Sequence, residues 1–313
     1  MRYRTMRSDA GSTSRPVSDG VAVVTIGSLL TDSTAALAPS SGTPRLDAEV
    51  LLAHVLGVDR TRLVLDHRSQ LDSEIQRHFD RLMGRRAAGE PVAYLIGRRP
   101  FRALELFVDR RVLIPRPETE GLVEAAVAEL PLGASVLDVG TGSGAIALAL
   151  ATERPDLRVR GVDVSPDAVA VAQRNASNLN LDLSFTVADL LEGEDGVDAV
   201  IANLPYVEAD ATLPVDVAAF EPSLALYAGE QGLDLFRRLA AQLAAREWPS
   251  RVLLEIGESQ GAAVCALLHE AGFGAVEVRQ DLSGRDRVVL GRRGGLSPSG
   301  DERAGRTGRR AER

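Results

Sequence analysis

From about Pro117 onward, short apolar stretches suited to strands alternate with helical patterns, and this alternation limits the fold more than any other feature of the chain. The expected strands cover residues 135–139, 158–163, 183–187, 197–202, 251–256, 275–279 and 287–290. The expected helices cover 118–130, 145–153, 166–178, 233–246 and 261–271. Several of the strands are nearly unbroken apolar runs, as required of a strand covered on both faces. Strand–helix alternation of this kind builds an α/β fold, a mostly parallel and doubly wound sheet.

The chain upstream follows a different period. Between Ile26 and Ala88 the apolar residues recur at helical spacing. Thr43 and Pro44 resemble an N-cap and a first helical residue, and Asp72 stands before a helix striped by Ile75, Phe79, Leu82 and Met83. One apolar stripe per helix suits a small bundle. Alternating segments around residues 94–96 and 104–108 predict a hairpin connector. The ends are polar and aperiodic and are expected to be disordered. The C-terminal stretch 292–313 holds seven arginines and three acids, and a solvated end is preferred over a nucleic-acid-binding tail. The expected organisation is a leader at 1–24, a helical domain at 25–90, a connector at 91–116, the α/β domain at 117–291 and a tail at 292–313.

Composition narrows the function classes. The net charge is −8 and the sequence pI about 5.2, which argues against a general nucleic-acid binder with a broad basic face. All 36 basic residues are arginine, a pattern attributed to a GC-rich coding sequence. The single cysteine, Cys265, allows no disulfide within one chain. No apolar run of about 18 residues is present to span a membrane, so a cytoplasmic location is expected. His54, His67, His78 and His269 lack metal-ligand spacing, and no metal is expected.

The first strand of the α/β region ends at Val136-Leu137-Asp138-Val139 and runs into Gly140-Thr141-Gly142-Ser143-Gly144 before a helix. Glycines there let the backbone turn tightly and approach a ligand. The next strand ends at Asp163, whose carboxylate is placed to accept hydrogen bonds from a ribose. The pair fits any nucleoside cofactor. It leaves open NAD, a nucleotide-sensing module, and Asp163 as a simple cap for the helix after Ser165.

The stretch Asn203-Leu204-Pro205-Tyr206 after the fourth strand decides among these. An asparagine amide pairs with another planar amide or with an amino group on a conjugated ring. The Leu204 carbonyl offers a second acceptor, Pro205 fixes the turn, and Tyr206 can stack on a flat group. An amide nitrogen is a poor nucleophile because its lone pair is delocalised. Two acceptors holding its hydrogens orient that lone pair, and positioning is worth about 7–11 kcal/mol in the best cases. The motif contains no strong general base. Methyl transfer to nitrogen explains it; NAD chemistry does not.

These motifs resemble those of the release factor glutamine methyltransferases. The resemblance is carried by residues 90–97 (Glu-Pro-Val-Ala-Tyr-Leu-Ile-Gly), residues 113–120 (Leu-Ile-Pro-Arg-Pro-Glu-Thr-Glu), the glycine loop, and Asn203–Tyr206. Residues 221–234 and 281–287 agree, and the likeness covers about 26–291. It implies a seven-stranded Rossmann-like methyltransferase sheet behind a small N-terminal helical domain that docks the protein substrate. It implies S-adenosyl-L-methionine as cofactor and N5-methylation of the glutamine in the Gly-Gly-Gln motif of class 1 peptide chain release factors. No membrane and no direct nucleic-acid binding are expected. Gly140, Thr141, Gly142, Ser143 and Gly144 would cradle the methionine part, Asp163 the ribose, Asp189 and Leu190 the adenine. Asn203, Leu204, Pro205 and Tyr206 would hold the glutamine, with Asn203 edging the cofactor. Leu204 departs from the family, which has proline there. The alternatives are an exocyclic amino group of a nucleic-acid base or a glutamine in another protein.

Overall fold

The computed structural model describes residues 24–294. The leader expected at 1–24 and the tail expected at 292–313 lie outside them, apart from residues 24 and 292–294.

Helices come first: α1 (Ile26–Leu37), α2 (Pro44–Leu56), α3 (Arg60–Leu65), α4 (Ser73–Ala87) and the short α5 (Val92–Ile96). Thr25 and Ser28 close a capping box at the start of α1. Pro44 opens α2, where its missing N–H is no loss, and Gly57 ends it at φ 64°. Thr43 stands at the cap position, but its hydroxyl donates to Asp47 Oδ1 at 3.0 Å. Phe79 and Leu82 of the α4 stripe are buried against Leu30, Leu51 and Leu52. A buried ion pair of 2.7 Å from Arg86 Nε to Asp47 Oδ2 ties α4 to α2.

A hairpin follows, formed by β1 (Arg98–Phe101) and β2 (Leu104–Phe107). Its first half was expected around residues 94–96, which instead belong to α5. Pro91 starts that turn of helix and Gly97, at φ 68°, stops it. Tyr94 and Leu95 are both buried, and over so few residues alternation cannot separate a strand from a helical turn.

The α/β part runs α6 (Thr119–Glu129), β3 (Ser135–Val139), α7 (Ala145–Glu153), β4 (Arg158–Asp163), α8 (Pro166–Leu179), β5 (Ser184–Val187), β6 (Ala199–Ala202), α9 (Val215–Phe220), α10 (Asp234–Ala244), β7 (Arg251–Glu255), α11 (Gly261–Glu270), β8 (Ala275–Gln280) and β9 (Asp286–Arg292). The strands form a seven-stranded sheet in the order β5-β4-β3-β6-β7-β9-β8. Pairing is parallel from β5 to β7, and β9 runs antiparallel to both of its neighbours. Alternate strand residues supply an apolar layer on each face. Val136 and Ile201 pack on one side with Leu122 and Ile146; Leu137 and Val200 pack on the other with Phe236 and Leu239.

The chain divides into two compact units. One holds the described part of Met1–Arg99 with Phe107–Arg110 and Thr212–Pro222; the other holds Pro100–Leu106, Arg111–Ala211 and the described part of Ser223–Arg313. Helix α9 therefore packs with the helical unit although it follows β6 in sequence. Phe220 and Val215 each stand 3.4 Å from where a side-chain carbon on Gly89 would sit. The Arg110 guanidinium lies 4.9 Å from the centre of the Phe220 ring. This six-residue helix buries none of its residues, so it carries no period that the sequence could reveal. Among the described residues, no helix is long and apolar enough to cross a membrane.

Candidate active site

The strand order turns at β3 and β6. From β3 the chain steps outward through β4 to β5; from β6 it steps the other way to β7. Ligands of open α/β sheets bind beyond the carboxyl ends of strands at such a reversal. The glycine loop leaves β3 there, and Asn203–Tyr206 leaves β6 beside it, because Val139 pairs with Ala202. Gly140, Gly142 and Gly144 have φ of 72°, 56° and 81°, a region that side chains strain to enter. A side-chain carbon at Gly140 would lie 3.2 Å from Leu204 Cδ2, and one at Gly144 would lie 3.0 Å from Leu148 Cδ1. Sequence and space thus agree on glycine. Leu204 is buried against the loop rather than exposed in a slot.

The loop is braced from below. Thr141 Oγ1 donates to Asp138 Oδ2 at 2.6 Å, and Asn175 Nδ2 donates to the Ser143 carbonyl at 2.9 Å. The Asp163 carboxylate accepts from Gly142 N and from Ser165 N, each at 2.9 Å. It therefore supports the entry to α8, whose N-cap is Ser165. Each carboxylate oxygen has a further lone pair to offer. Burial pushes the Asp163 carboxyl above its ordinary range. Asp189 Oδ2 accepts from Arg238 at 2.6 Å. Leu190, buried, has φ 57°; a left-handed leucine costs about 1–3 kcal/mol and such strain collects at ligand sites.

The sequence reading passed over Asp138. It is fully buried beside the glycine loop, its Oδ1 has no hydrogen-bond partner, and burial raises its pKa to about 7. An orphaned carboxylate oxygen there suits a cationic ligand. S-adenosylmethionine carries two cationic groups, a sulfonium and an ammonium, so the residues present fit this cofactor.

Asn203 follows β6 and Glu255 ends β7, and the register pairs Ala202 with Leu254. Thr119, the first residue of α6, is close enough to act on both. Asn203 Nδ2 donates to Thr119 Oγ1 at 2.9 Å. Glu255 is fully buried, and neither carboxyl oxygen meets a donor with full hydrogen-bond geometry. Burial raises its pKa from 4.5 to about 7, against the opposing pull of the Thr119 hydroxyl, Arg287 and the Asn203 amide. The sequence analysis missed both residues. Thr119 lay inside the motif at 113–120 without a role; Glu255 was signalled by an acid at the end of an apolar strand.

Glu255→Gln is expected to gain stability relative to wild type as pH rises. A carboxyl whose folded pKa is raised stabilises below its unfolded value and loses that contribution as pH passes the folded one. The window runs from about 4.5 to about 7, and 2.5 units correspond to about 3 kcal/mol at most. Denaturant unfolding of cofactor-free protein at pH 5 and pH 8 reads this; a difference between variant and wild type that stays constant with pH would refute it.

Tyr206 is held through its backbone. Gln260 Nε2 lies 3.2 Å from the carbonyls of Tyr206 and Gly232, and Gly257 N donates to Gln260 Oε1 at 2.9 Å. A side-chain carbon on Gly232 would sit 2.1 Å from the Tyr206 carbonyl oxygen, at φ 65°. Gly232→Ala should therefore displace Tyr206 and cost about 2–4 kcal/mol, the range of strained or overpacked buried sites. Gly229→Ala is the control. It is also left-handed, but the three atoms nearest its new carbon all belong to the Asp234 carboxylate, a flexible group. Equal unfolding midpoints and equal activities for the two variants would contradict the Tyr206 contact.

A glycine loop at the switch point of a seven-stranded sheet, set beside the Asn203–Tyr206 turn of the neighbouring strand, is the arrangement of an S-adenosylmethionine-dependent methyltransferase of the α/β class. Residues 28–97 match the PrmC N-terminal domain and residues 119–220 the methyltransferase small domain. The release factor glutamine methyltransferase of Neisseria gonorrhoeae is 42% identical over 80% of this chain and 93% of its own. That of Cereibacter sphaeroides is 45% identical over 79% and 90%. A solved methyltransferase structure from Pyrococcus furiosus aligns with a TM-score of 0.49 at 15% identity, covering 69% of this chain and 99% of that one. The chain belongs to the release factor glutamine methyltransferase family.

Proposed function

We propose that this enzyme methylates the N5 amide nitrogen of the glutamine in the Gly-Gly-Gln motif of class 1 peptide chain release factors, in the cytoplasm. The observation that carries the reading is the adjacency of the two turns at the head of neighbouring parallel strands, so close that a side-chain carbon at Gly140 would lie 3.2 Å from Leu204 Cδ2. In this reading Gly140–Gly144 hold the methionine part of the cofactor, with Asp138 facing its cationic end. Asp163 holds the ribose, and Asp189 and Leu190 bound the adenine. When bound, S-adenosylmethionine supplies an electrophilic methyl group.

The chain's own residues do the rest. Asn203 Oδ1 and the Leu204 carbonyl accept the two hydrogens of the glutamine amide and aim its nitrogen, while Pro205 and Tyr206 wall the slot. Gripping both hydrogens also favours loss of one as the new bond forms. The helical unit has no part in this chemistry and serves to dock the release factor.

Incubating the enzyme with purified release factor and labelled S-adenosylmethionine, followed by mass mapping, tests the assignment. The label is expected on the Gly-Gly-Gln glutamine alone. Label on another glutamine, or on RNA added to the same mixture, would replace the assigned substrate.

A further inference from the structure

Asn203 can serve the acceptor only if its oxygen, and not its NH2 group, faces the substrate. A primary amide brings two N–H donors and needs acceptors. Which end of an asparagine carries the oxygen is decided by its hydrogen-bond network. Here the network lies on the protein side. Asn203 Nδ2 is 2.9 Å from Thr119 Oγ1, and Thr119 is 4% exposed. A threonine hydroxyl that accepts from Asn203 still has one proton to donate. Glu255 follows Leu254, the register partner of Ala202, and is close enough to the Thr119 hydroxyl and the Asn203 amide to feel both; it is fully buried, and neither of its oxygens meets a donor with full hydrogen-bond geometry. An unpaired buried carboxylate is costly and turns that hydroxyl proton toward itself.

We propose that Thr119 and Glu255 are positioning residues for the acceptor site: the Glu255 carboxylate draws the Thr119 hydroxyl proton, the hydroxyl oxygen takes the Asn203 NH2 hydrogen, and Asn203 Oδ1 is thereby turned outward to the substrate amide. The proposal rests on the assignment of Asn203 as the acceptor grip. It also gives a task to a threonine in the motif at 113–120. A protonated Glu255 would donate rather than accept, and the direction of the chain would reverse. Turnover is therefore expected to rise with pH through the neutral range, where burial places the Glu255 carboxyl at about 7. The charged groups acting on Glu255 are Arg287, which favours its ionised form, and Glu118, which opposes it; the Tyr206 phenol is close enough to feel its charge.

The test uses the full chain and three variants: Thr119→Val, Thr119→Ser and Glu255→Gln. Thr119→Val keeps the shape and removes the hydroxyl. Its kcat on release factor should fall about tenfold to a hundredfold, the scale of one lost orienting hydrogen bond, with KM and S-adenosylhomocysteine affinity by calorimetry within about threefold. Thr119→Ser should restore most of the rate. Glu255→Gln should lose the inflection that wild type shows in kcat against pH. In 15N NMR of cofactor-bound protein, the Asn203 side-chain NH2 resonances should move in Thr119→Val and stay in Thr119→Ser. Thermal unfolding checks that each variant is folded. The proposal is overturned by a Thr119→Val rate within twofold of wild type, by a serine variant as slow as valine, by an unchanged pH profile in Glu255→Gln, or by static NH2 resonances. Wild type failing to methylate release factor would undo the substrate assignment instead, while the NMR arm still reports the Asn203 orientation.

Discussion

Asn203→Ala should bring methyl transfer to release factor down by about a hundredfold to a thousandfold in kcat, the loss seen when a preorganised polar contact to the reacting group is removed. The reasoning starts from the sheet. β6 is buried at every position and delivers Asn203 as its first residue past the edge. Alanine removes the acceptor and leaves Thr119 Oγ1 without the donor it meets at 2.9 Å. Neither change touches the glycine loop or Asp163, so S-adenosylhomocysteine affinity should stay within about tenfold. An interaction made mainly in the transition state shows itself in kcat rather than in ground-state binding. Single-turnover rates with saturating cofactor, set beside calorimetric affinity, separate the two. A folded variant that methylates release factor near the wild-type rate would remove Asn203 from the acceptor site.

The parts of this molecule that the sequence disclosed are those whose physics is local. Strands β3 and β4 begin and end where expected because Asp138-Val139-Gly140 and Asp163 mark where an apolar run stops and a turn must begin. The glycine loop is legible because glycine alone enters three nearby positive φ values readily, and two of the three positions, Gly140 and Gly144, are also closely packed. What stayed hidden depends on partners distant in sequence. Thr119 and Glu255 are 136 positions apart by numbering, and nothing local in either says that they meet at Asn203. Asp138 read as the end of a strand, and its orphaned oxygen appears only once α7 covers it. Val92–Ile96 misled in the other direction, because five residues between Pro91 and Gly97 carry too little period to tell a helical turn from a strand.

Leu204 shows how the two levels meet. The family's proline would fix φ at this position; leucine gives up that restraint but fills space against Gly140, with Cδ2 3.2 Å from where a side-chain carbon there would stand. Packing on the glycine loop thus joins the Thr119 contact of Asn203 and the Gln260 contact of Tyr206 in holding the turn. This ties the shape of the Asn203–Tyr206 turn to the loop proposed to hold the cofactor, and the carbonyl of Leu204 remains what the substrate is proposed to meet.

Asp163→Ala should weaken S-adenosylhomocysteine binding by about a hundredfold to a thousandfold. The carboxylate already accepts from Gly142 N and Ser165 N, so it does two things at once. It orders the glycine loop, and it presents its remaining lone pairs at the carboxyl end of β4, where a ribose is proposed to lie. Hydrogen bonds to a charged group contribute about 1.5–3 kcal/mol each. Two of them, discounted for the water that replaces them, account for most of the loss. The raised pKa of Asp163 has burial as its largest cause, and donors from a bound ribose would lower it again. Cofactor affinity should therefore decline as pH falls toward the carboxyl range. The loop-ordering share can be read separately, because it acts without ligand: unfolding of the cofactor-free variant reports it. If the loop were the whole effect, affinity and cofactor-free stability would fall by matching free energies. A ribose contact predicts a loss of affinity well beyond the loss of stability, together with a flat response to pH in the variant. A folded Asp163→Ala protein with unchanged affinity for S-adenosylhomocysteine would mean that the carboxylate serves only the entry to α8.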